Sequence, residues 1–584
     1  MPDVRLHRRR SSFRPHEICL WILVALLALA RIHLLLVRVY DPDEFEHLHA
    51  AYSLSMGLIP YRDFFEHHGP LTYWFSAAIV KVFGPSIQLL TINRCVSLIF
   101  SAFTALGTWL LARQVYGKRA ALWALVGMLT FPVFVEKSVE WRPDAIATPL
   151  VVFATLLVVA PTKRPFVASF MAGSLLAMAL LTTQKTLFLA TGLFVAALLT
   201  WRARGSIAKR IAGFVTGGLV VGLVVLGVLF KEGALTDAYL CLFERLANWP
   251  TKTRGPNVLF GMNSWAPGHQ AAVMIAIVSS SVIGLSVALR GWKERKSGEG
   301  ASPHSYPLTH TLPHPRKGVV RWTPLVRRGW LAVVLAIITH LLGILITPAI
   351  YFQFYMLAIP LLAVFTAGEW VRLWHAVSRS PNKSRIGCLI AVFMIAWLGA
   401  SIFLLPRGPV SLTGFDLAAL IMIGFVVLVS FFTPRLSVVL LVIAFLVPSL
   451  GRIAVPHFLW PNGIQRQDIA LVNELVHDDE KVLDGFTGMG ALRPHLNYWW
   501  WINEHTIPMM RSTGEDAVII NEVASGKPAV VLFDDNLRSL GIEQLLARHY
   551  VPLPLKERRP YFILVRRDLW SRWQRIEYEK NGKT

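Results

Sequence analysis

The sequence predicts a polytopic α-helical membrane protein of about thirteen spans with a small α/β domain at its C-terminus. Three observations carry this. Hydrophobic residues make up 54% of the 584 residues, charged residues only 16%, and mean hydropathy is +0.51, whereas soluble chains are about a quarter charged. Apolar runs long enough to cross a bilayer recur from the N-terminus to about residue 455. After Pro461 that composition ends, and short helical and strand patterns alternate.

The first run, "ICLWILVALLALARIHLLLV" from Ile18, follows the basic tail "RLHRRRSSFRPHE". It is too long for the apolar region of a signal peptide, and no small-residue cleavage site follows it, so it reads as a retained first helix. Further spans are "IAGFVTGGLVVGLVVLGVLF" from Ile211, "GWLAVVLAIITHLLGILIT" from Gly329 and "LSVVLLVIAFLVPSL" from Leu436. Lys and Arg gather in alternate connections: the N-terminal tail, 113–119, 161–165, 201–210, 290–328, 371–385 and Arg435. By the positive-inside rule these connections and the N-terminus are cytoplasmic. The loop 41–70, residues 136–144, the turn at Lys185, residues 231–270 and everything after about residue 456 then lie outside. The formal charge of +23 therefore reports topology, and no basic reader module accompanies it to indicate nucleic acid.

The expected division is a transmembrane domain over 1–458, including the outer loop 41–84, and an extracytoplasmic α/β domain over 459–584. In the latter, helical stretches "RQDIALVNELVHDD", "GEDAVIINEVASG" and "NLRSLGIEQLLARHY" alternate with apolar strands "KVLDGF", "AVVLFDD" and "YFILVRRD". It has no Gly-rich nucleotide motif. The four cysteines (Cys19, Cys95, Cys241, Cys388) are scattered and imply no disulfide framework. "KSGEGASPHSYPLTHTLPHPRKG" (296–318) reads as a low-complexity cytoplasmic loop.

The stretch with the most chemistry is Asp41–Pro70. It holds six carboxylates (Asp41, Asp43, Glu44, Glu46, Asp63, Glu66), four histidines (His47, His49, His67, His68) and one base, Arg62. "DEFEHLHAAYSL" and "GPLTYWFSAAIVKVFG" are amphipathic or short and apolar, as in helices lying at a membrane surface. Together they predict an acidic, His-rich shelf.

A carboxylate at such a boundary can serve as a general base. Asp43 is the first candidate and Glu44 the second, while Asp41 and Asp43 equally suit capping of the helix that follows. Glu66, His67 and His68 suit a divalent metal, or His67 suits a phosphate. In "EWRPDAIATPL", Arg142 suits a phosphate and Asp144 a metal or acceptor; alternatively Asp144 only satisfies free helix N–H groups. Lys185 lies between two apolar runs, where a cation is either functional or snorkelling. "LFERLANW" offers Glu244 and Arg245. Carboxylates and cations at a bilayer surface together suit a lipid phosphate: the leaving polyprenyl phosphate needs positive charge, and an acceptor hydroxyl needs a base.

"DPDEFEHLHAAYSLSMGLIPYRDFFEHHGPLTYWF" resembles the first outer loop of GT-C-fold membrane glycosyltransferases. The nearest group is the dolichyl-phosphate-mannose protein mannosyltransferase superfamily with its bacterial relatives, including the enzyme that adds aminoarabinose to lipid A. The resemblance maps the family's Asp-Glu pair onto Asp43 and Glu44, with the Asp as catalytic base. It places "FEHHGPL" on a Phe-Glu-Lys-Pro-Pro-Leu stretch, so that Glu66 takes the family glutamate and His67 stands where the relatives have a phosphate-binding lysine. Arg142 to Asp144, Lys185 and "YFQFYMLAIP" (351–360) resemble further parts of the donor cavity. The likeness covers about the first 455 residues.

What it implies is inverting transfer of a sugar from a polyprenyl-phosphate carrier to an acceptor hydroxyl on a lipid, polysaccharide or protein. The setting would be the outer face of the plasma (inner) membrane. Asp43 would be the base, and His67, Arg142, Lys185 and Arg245 the phosphate cations. Glu66, His68 and Asp144 are the metal candidates for a divalent ion that the reaction accommodates but does not require. The alternative is a transporter or flippase of lipid-linked sugars, which would place ionisable groups near the bilayer midplane and pair broken helices in two halves.

Overall fold

The computed structural model describes residues 15–202, 207–247, 324–346, 352–379 and 462–581, apart from 556 and 558. The basic loop 296–318 and the span from Leu436 lie outside the described residues. Within them the chain is mostly helical. Three helices are long and apolar enough to cross a membrane: Glu17–Val37 of α1 (Pro15–Val37), α4 (Gln88–Tyr116) and α10 (Ile207–Lys231). Shorter apolar helices accompany them, including α7 (Pro143–Val159), α8 (Pro165–Leu180), α9 (Thr186–Arg202), α12 (Pro324–Ile346) and α13 (Ile359–Arg379). Between these run α2 (Pro42–Ser55), α3 (Pro70–Phe83), α5 (Lys118–Thr130), α6 (Pro132–Lys137) and α11 (Leu235–Tyr239).

Proline writes several of these boundaries. α2, α3, α6, α7 and α8 all carry Pro in the first turn, where its missing N–H would have no partner anyway and its fixed φ suits the helix. α8 and α10 pack with backbones almost touching. A Cβ on Gly173 would stand 2.0 Å from Phe214 O, and one on Gly217 would stand 2.1 Å from Phe170 O. Only glycine permits that approach, as in other closely packed membrane helices.

α4 carries a buried polar stripe along one face: Asn93, Arg94, Ser97, Ser101, Thr104 and Thr108. Ser97 donates to Glu140 O at 2.9 Å and Ser101 to Ser138 O at 2.6 Å. The stripe therefore fastens the connection between α6 and α7, which carries Glu140 and Arg142.

From Asn462 the chain forms α14 (Gly463–Leu475) and a four-stranded sheet in the order β1-β2-β4-β3. β1 (Val482–Asp484) is parallel to β2 (Val530–Phe533); β4 (Phe562–Arg566) is antiparallel to both β2 and β3 (Tyr550–Pro552). Every residue of β2 is buried, because both sheet faces are covered. Side chains alternate between faces along a strand. Val530 and Leu532 pack in one core with Phe45, Leu48 and α14. Val531 and Phe533 pack in another with Tyr61, Phe65, Val225 and Leu229. The two halves of the loop 41–70 thus contribute to opposite faces of one sheet.

Polar contacts reinforce this seating. The Tyr40 N–H donates to Gln465 at 2.7 Å, and Gln465 donates back to Tyr40 O at 3.0 Å. Tyr498 donates to Tyr61 O at 2.8 Å, and the His49 ring packs 4.1 Å from Trp500. Gly488, at φ +78°, brings the turn after β1 onto Phe45; a Cβ there would lie 2.2 Å from the Phe45 ring. Gly488→Ala combines a left-handed backbone, which costs about 1–2 kcal/mol for an L-residue, with that overlap. We expect it to lower the melting temperature measured in detergent by several degrees; an unchanged melting curve would show that the turn does not bear on α2.

Candidate active site

The site is built at the start of α2. Asp41 caps the helix, accepting from Asp43 N at 3.1 Å, while Glu44 accepts from Asp41 N at 3.0 Å. This is a reciprocal capping box, and it holds the backbone of Asp43 in the first turn of the helix. Carboxylates near a helix N-terminus are also favoured by its dipole.

Around this start runs a balanced set of buried charges. Arg94, wholly inaccessible on α4, clasps Glu44 with Nε and Nη2 at 2.8 and 2.6 Å. Its remaining donors reach Leu35 O (3.1 Å), Arg38 O (2.7 Å) and Val39 O (2.9 Å), and the guanidinium lies 4.1 Å from the Tyr40 ring centre. All five N–H groups of Arg94 are thereby used. Glu44 also accepts from Trp141 N at 3.3 Å. Sequence reasoning takes Glu44 as a second base; the structure puts it in an anchor with four hydrogen bonds.

Asp43 differs. Arg142 donates to Asp43 and Glu140, and its Nη1 lies 3.3 Å from Asp41. Lys137 bridges Asp41 at 2.6 Å and Glu140 at 2.9 Å, and Arg38 pairs with Glu140. Of the carboxylates in this network Asp43 is the most accessible, with 28% of its side chain exposed against 21% for Asp41, 1% for Glu44 and none for Glu140. The two aspartates are also driven apart electrostatically. Burial works against the charge on Asp41, but Lys137 and Arg142 outweigh it and hold its carboxyl well below the usual range. Burial, aided by Asp41 and Glu46 and opposed by Arg142, pushes Asp43 up to about 6. Neighbouring carboxylates with separated pKa values suit separate roles.

Asp144, buried at the start of α7, pairs with Lys185 at 3.1 Å; Lys185 also lies 4.0 Å from the Phe354 ring centre. Two of the expected cations, Arg142 and Lys185, thus reach carboxylates of one region. Arg245 contacts a different set. It donates to Tyr498 at 3.0 Å and lies within 5.6 Å of the rings of Phe65, Tyr498 and Trp499.

One turn along α2 from Asp43, a second cluster forms. Glu46 meets His67 at 3.2 Å, and Tyr73 donates to Glu66. The His67 and His68 rings lie with centres 4.0 Å apart, tilted by 48°, and the His47 ring stands edge-on to His68 at 5.1 Å. Burial pushes Glu66 well above the usual carboxylate range, with Glu46 adding to it, and lowers His47 to about 4. Of the expected metal candidates, Glu66 and His68 fall in this cluster, joined by Glu46 and His67, whereas Asp144 is engaged by Lys185. His49 takes no part. Two positions from His47, it points to the C-terminal segment and contacts Ala491 O at 3.1 Å.

With this geometry in view, residues 67–230 match the family model for dolichyl-phosphate-mannose-protein mannosyltransferase. The chain is similar in structure to ArnT from Cupriavidus metallidurans bound to undecaprenyl phosphate, with TM-score 0.57 at 12% identity. The match covers 94% of this chain and 97% of that one. The chain has the GT-C fold. The apo form of the same ArnT gives TM-score 0.55 over the same shares, also at 12% identity. No curated protein sequence matches the chain. At this identity the likeness speaks for architecture, and within the GT-C frame the helices described above are those of a multi-pass membrane protein.

Sequence reasoning missed Arg94, Lys137, Arg38, Glu46 and Tyr73. An arginine inside the apolar run "TINRCVSLIFSAF" is the signal that finds Arg94, since a buried charge in a membrane helix demands a partner.

Proposed function

We propose that this GT-C chain is an inverting glycosyltransferase that moves a sugar from a polyprenyl-phosphate carrier to an acceptor hydroxyl. Asp43 is the general base. The observation that carries this reading is the state of Asp43: the most accessible carboxylate of the charge network, with its pKa brought toward neutrality while that of its neighbour Asp41 is lowered. The family match over 67–230 and the solved relative bound to undecaprenyl phosphate supply the donor class. The acceptor is a lipid, polysaccharide or protein hydroxyl, and the sugar a hexose or pentose. The site faces the outside of the plasma (inner) membrane, with the N-terminus cytoplasmic and the C-terminal α/β domain extracytoplasmic.

In this mechanism the acceptor hydroxyl gives its proton to Asp43 as its oxygen attacks the anomeric carbon from the face opposite the phosphate. The C–O bond to phosphate breaks and the leaving group departs as an anion. It needs fixed positive charge more than a proton donor. Arg142 and Lys185 are the first cations for that task, with His67 and Arg245 the others to test. Because Arg142 also holds Asp43, a phosphate that draws Arg142 toward itself loosens the base at the moment it is needed. No step requires a metal ion.

The base must be ionised to act. The groups facing Asp43 are Arg142, Lys137 and Lys185, which favour its charge, and Asp41 and Glu46, which oppose it. We expect the single-turnover rate to fall roughly tenfold per pH unit below about 6 and to level off above it. A flat profile between pH 5 and pH 8 would remove Asp43 from the role.

The test of the reading as a whole uses the purified chain in vesicles with radiolabelled polyprenyl-phosphate sugars and membrane acceptors. Transfer of label to acceptor supports it. Movement of intact lipid-linked sugar across the bilayer without consumption would establish the transporter alternative instead.

A further inference from the structure

Glu46, Glu66, His67 and His68 bring two carboxylates and two imidazoles together in one cluster. Each residue offers one ligating atom, and the four lie within 4.8 Å of one another. Glu66 is 99% buried, and its Oε1 has no hydrogen-bond partner; neither has Nδ1 of His68 or either ring nitrogen of the fully buried His47. Buried polar atoms without partners are uncommon because each forfeits its hydration. Here they belong to residues packed together from two segments, α2 and residues 66–68.

From this geometry we infer that Glu46, Glu66, His67 and His68 form a binding site for a divalent transition-metal ion, with zinc the best fit. Two imidazoles and two carboxylates are a donor set zinc accepts in tetrahedral geometry. With bonds of about 2.0–2.1 Å, tetrahedral ligands stand about 3.3–3.5 Å apart. The present separations of up to 4.8 Å need a contraction of at most about 1.5 Å to reach that spacing, within reach of side-chain rotation. Two carboxylates also cancel the charge of the ion, so a neutral unit replaces a set of acids and bases in a buried place.

Supporting contacts are already present. Tyr73 donates to Glu66 through its Oε2, Gln184 donates to His67 O at 2.8 Å, and Tyr61 donates to His68 O at 2.7 Å. Such outer contacts orient ligands and tune affinity. Tyr61 is itself held at φ +72°, the only non-glycine residue with positive φ among the described residues. The His67–His68 pair is thus held by hydrogen bonds to both of its carbonyls.

The site keeps the Glu66, His67 and His68 expected from sequence, adds Glu46, and leaves out Asp144, which pairs with Lys185. Its occupancy is independent of the transfer reading and is measured with the metal alone. Chelator-treated full-length protein in lipid nanodiscs would be titrated with Zn²⁺ and, separately, Co²⁺. Metal retained after gel filtration would be counted by mass spectrometry, and the cobalt absorption spectrum recorded.

We expect about one ion per chain, a tetrahedral cobalt spectrum and a zinc-dependent rise in melting temperature. Glu66→Gln and His68→Ala should each weaken binding at least tenfold, by comparison with losses of 10–100-fold seen when even the outer partners of ligands are removed. Glu46→Gln serves if either variant fails to fold. Asp144→Asn should bind as wild type does. Retention of metal by all the cluster variants, or none by the wild type at tenfold excess, would overturn the site.

Discussion

Asp43→Asn is expected to lower the rate of sugar transfer by a factor of about 10²–10⁴, the usual contribution of a general base, while leaving the fold and donor binding intact. The asparagine side chain is nearly the same size and still accepts a hydrogen bond from Arg142, which keeps Asp41 and Glu140 as partners. What it cannot do is take a proton. Single-turnover transfer and equilibrium donor binding, measured on the same preparation, separate the two effects. A variant within tenfold of wild type at saturating donor would shift the base elsewhere. Glu44 is a poor substitute, since Arg94, the Asp41 N–H and the Trp141 N–H already occupy it. If binding and rate fall together, Asp43 contributes to holding the donor as well.

Arg94→Met should be among the most destabilising single changes in the chain, costing about 3–5 kcal/mol, the range for removing one partner of a buried ion pair. Both side chains are essentially inaccessible, at 0% and 1%, so Glu44 would be left as an uncompensated charge. Three backbone carbonyls at the end of α1 would also lose their donors. Arg94→Met with Glu44→Gln should recover part of the loss, because the second change removes the stranded charge. Melting in detergent measures both. If the double variant is no more stable than the single one, the damage lies in the carbonyls and the packing on Tyr40 rather than in the charge.

How much of this could be read from the sequence depends on whether a feature is local. The apolar runs, the prolines that open helices, and strands such as "AVVLFDD" are local patterns, and among the described residues the structure places elements where they occur. Asp43, Arg142 and Lys185 were nameable because charge stands out in an apolar chain. Their partners were not, since Arg142 and Asp43 are 99 positions apart and Arg94 and Glu44 are 50 apart. Helical spacing did hold a usable clue. Glu46 lies three positions after Asp43, on the neighbouring turn, and this offset brings it into the His67 cluster. The same rule separates His47 from His49, which lie two positions apart and so point different ways. The insertion of one acidic loop between two faces of a distant sheet follows from no local pattern, because composition near residue 41 carries no trace of the strands it will meet.

That insertion has a consequence in time. The contact between Tyr40 and Gln465 joins residues 425 positions apart, and that between His49 and Ala491 joins residues 442 apart. A ribosome adding about 5–20 residues per second needs roughly 20–90 s to cover such a distance. The acidic stretch is therefore made well before the residues that cover it. Through that interval it stands without its cover, and synthesis of the segment carrying Gln465 and Ala491 is the event that supplies it.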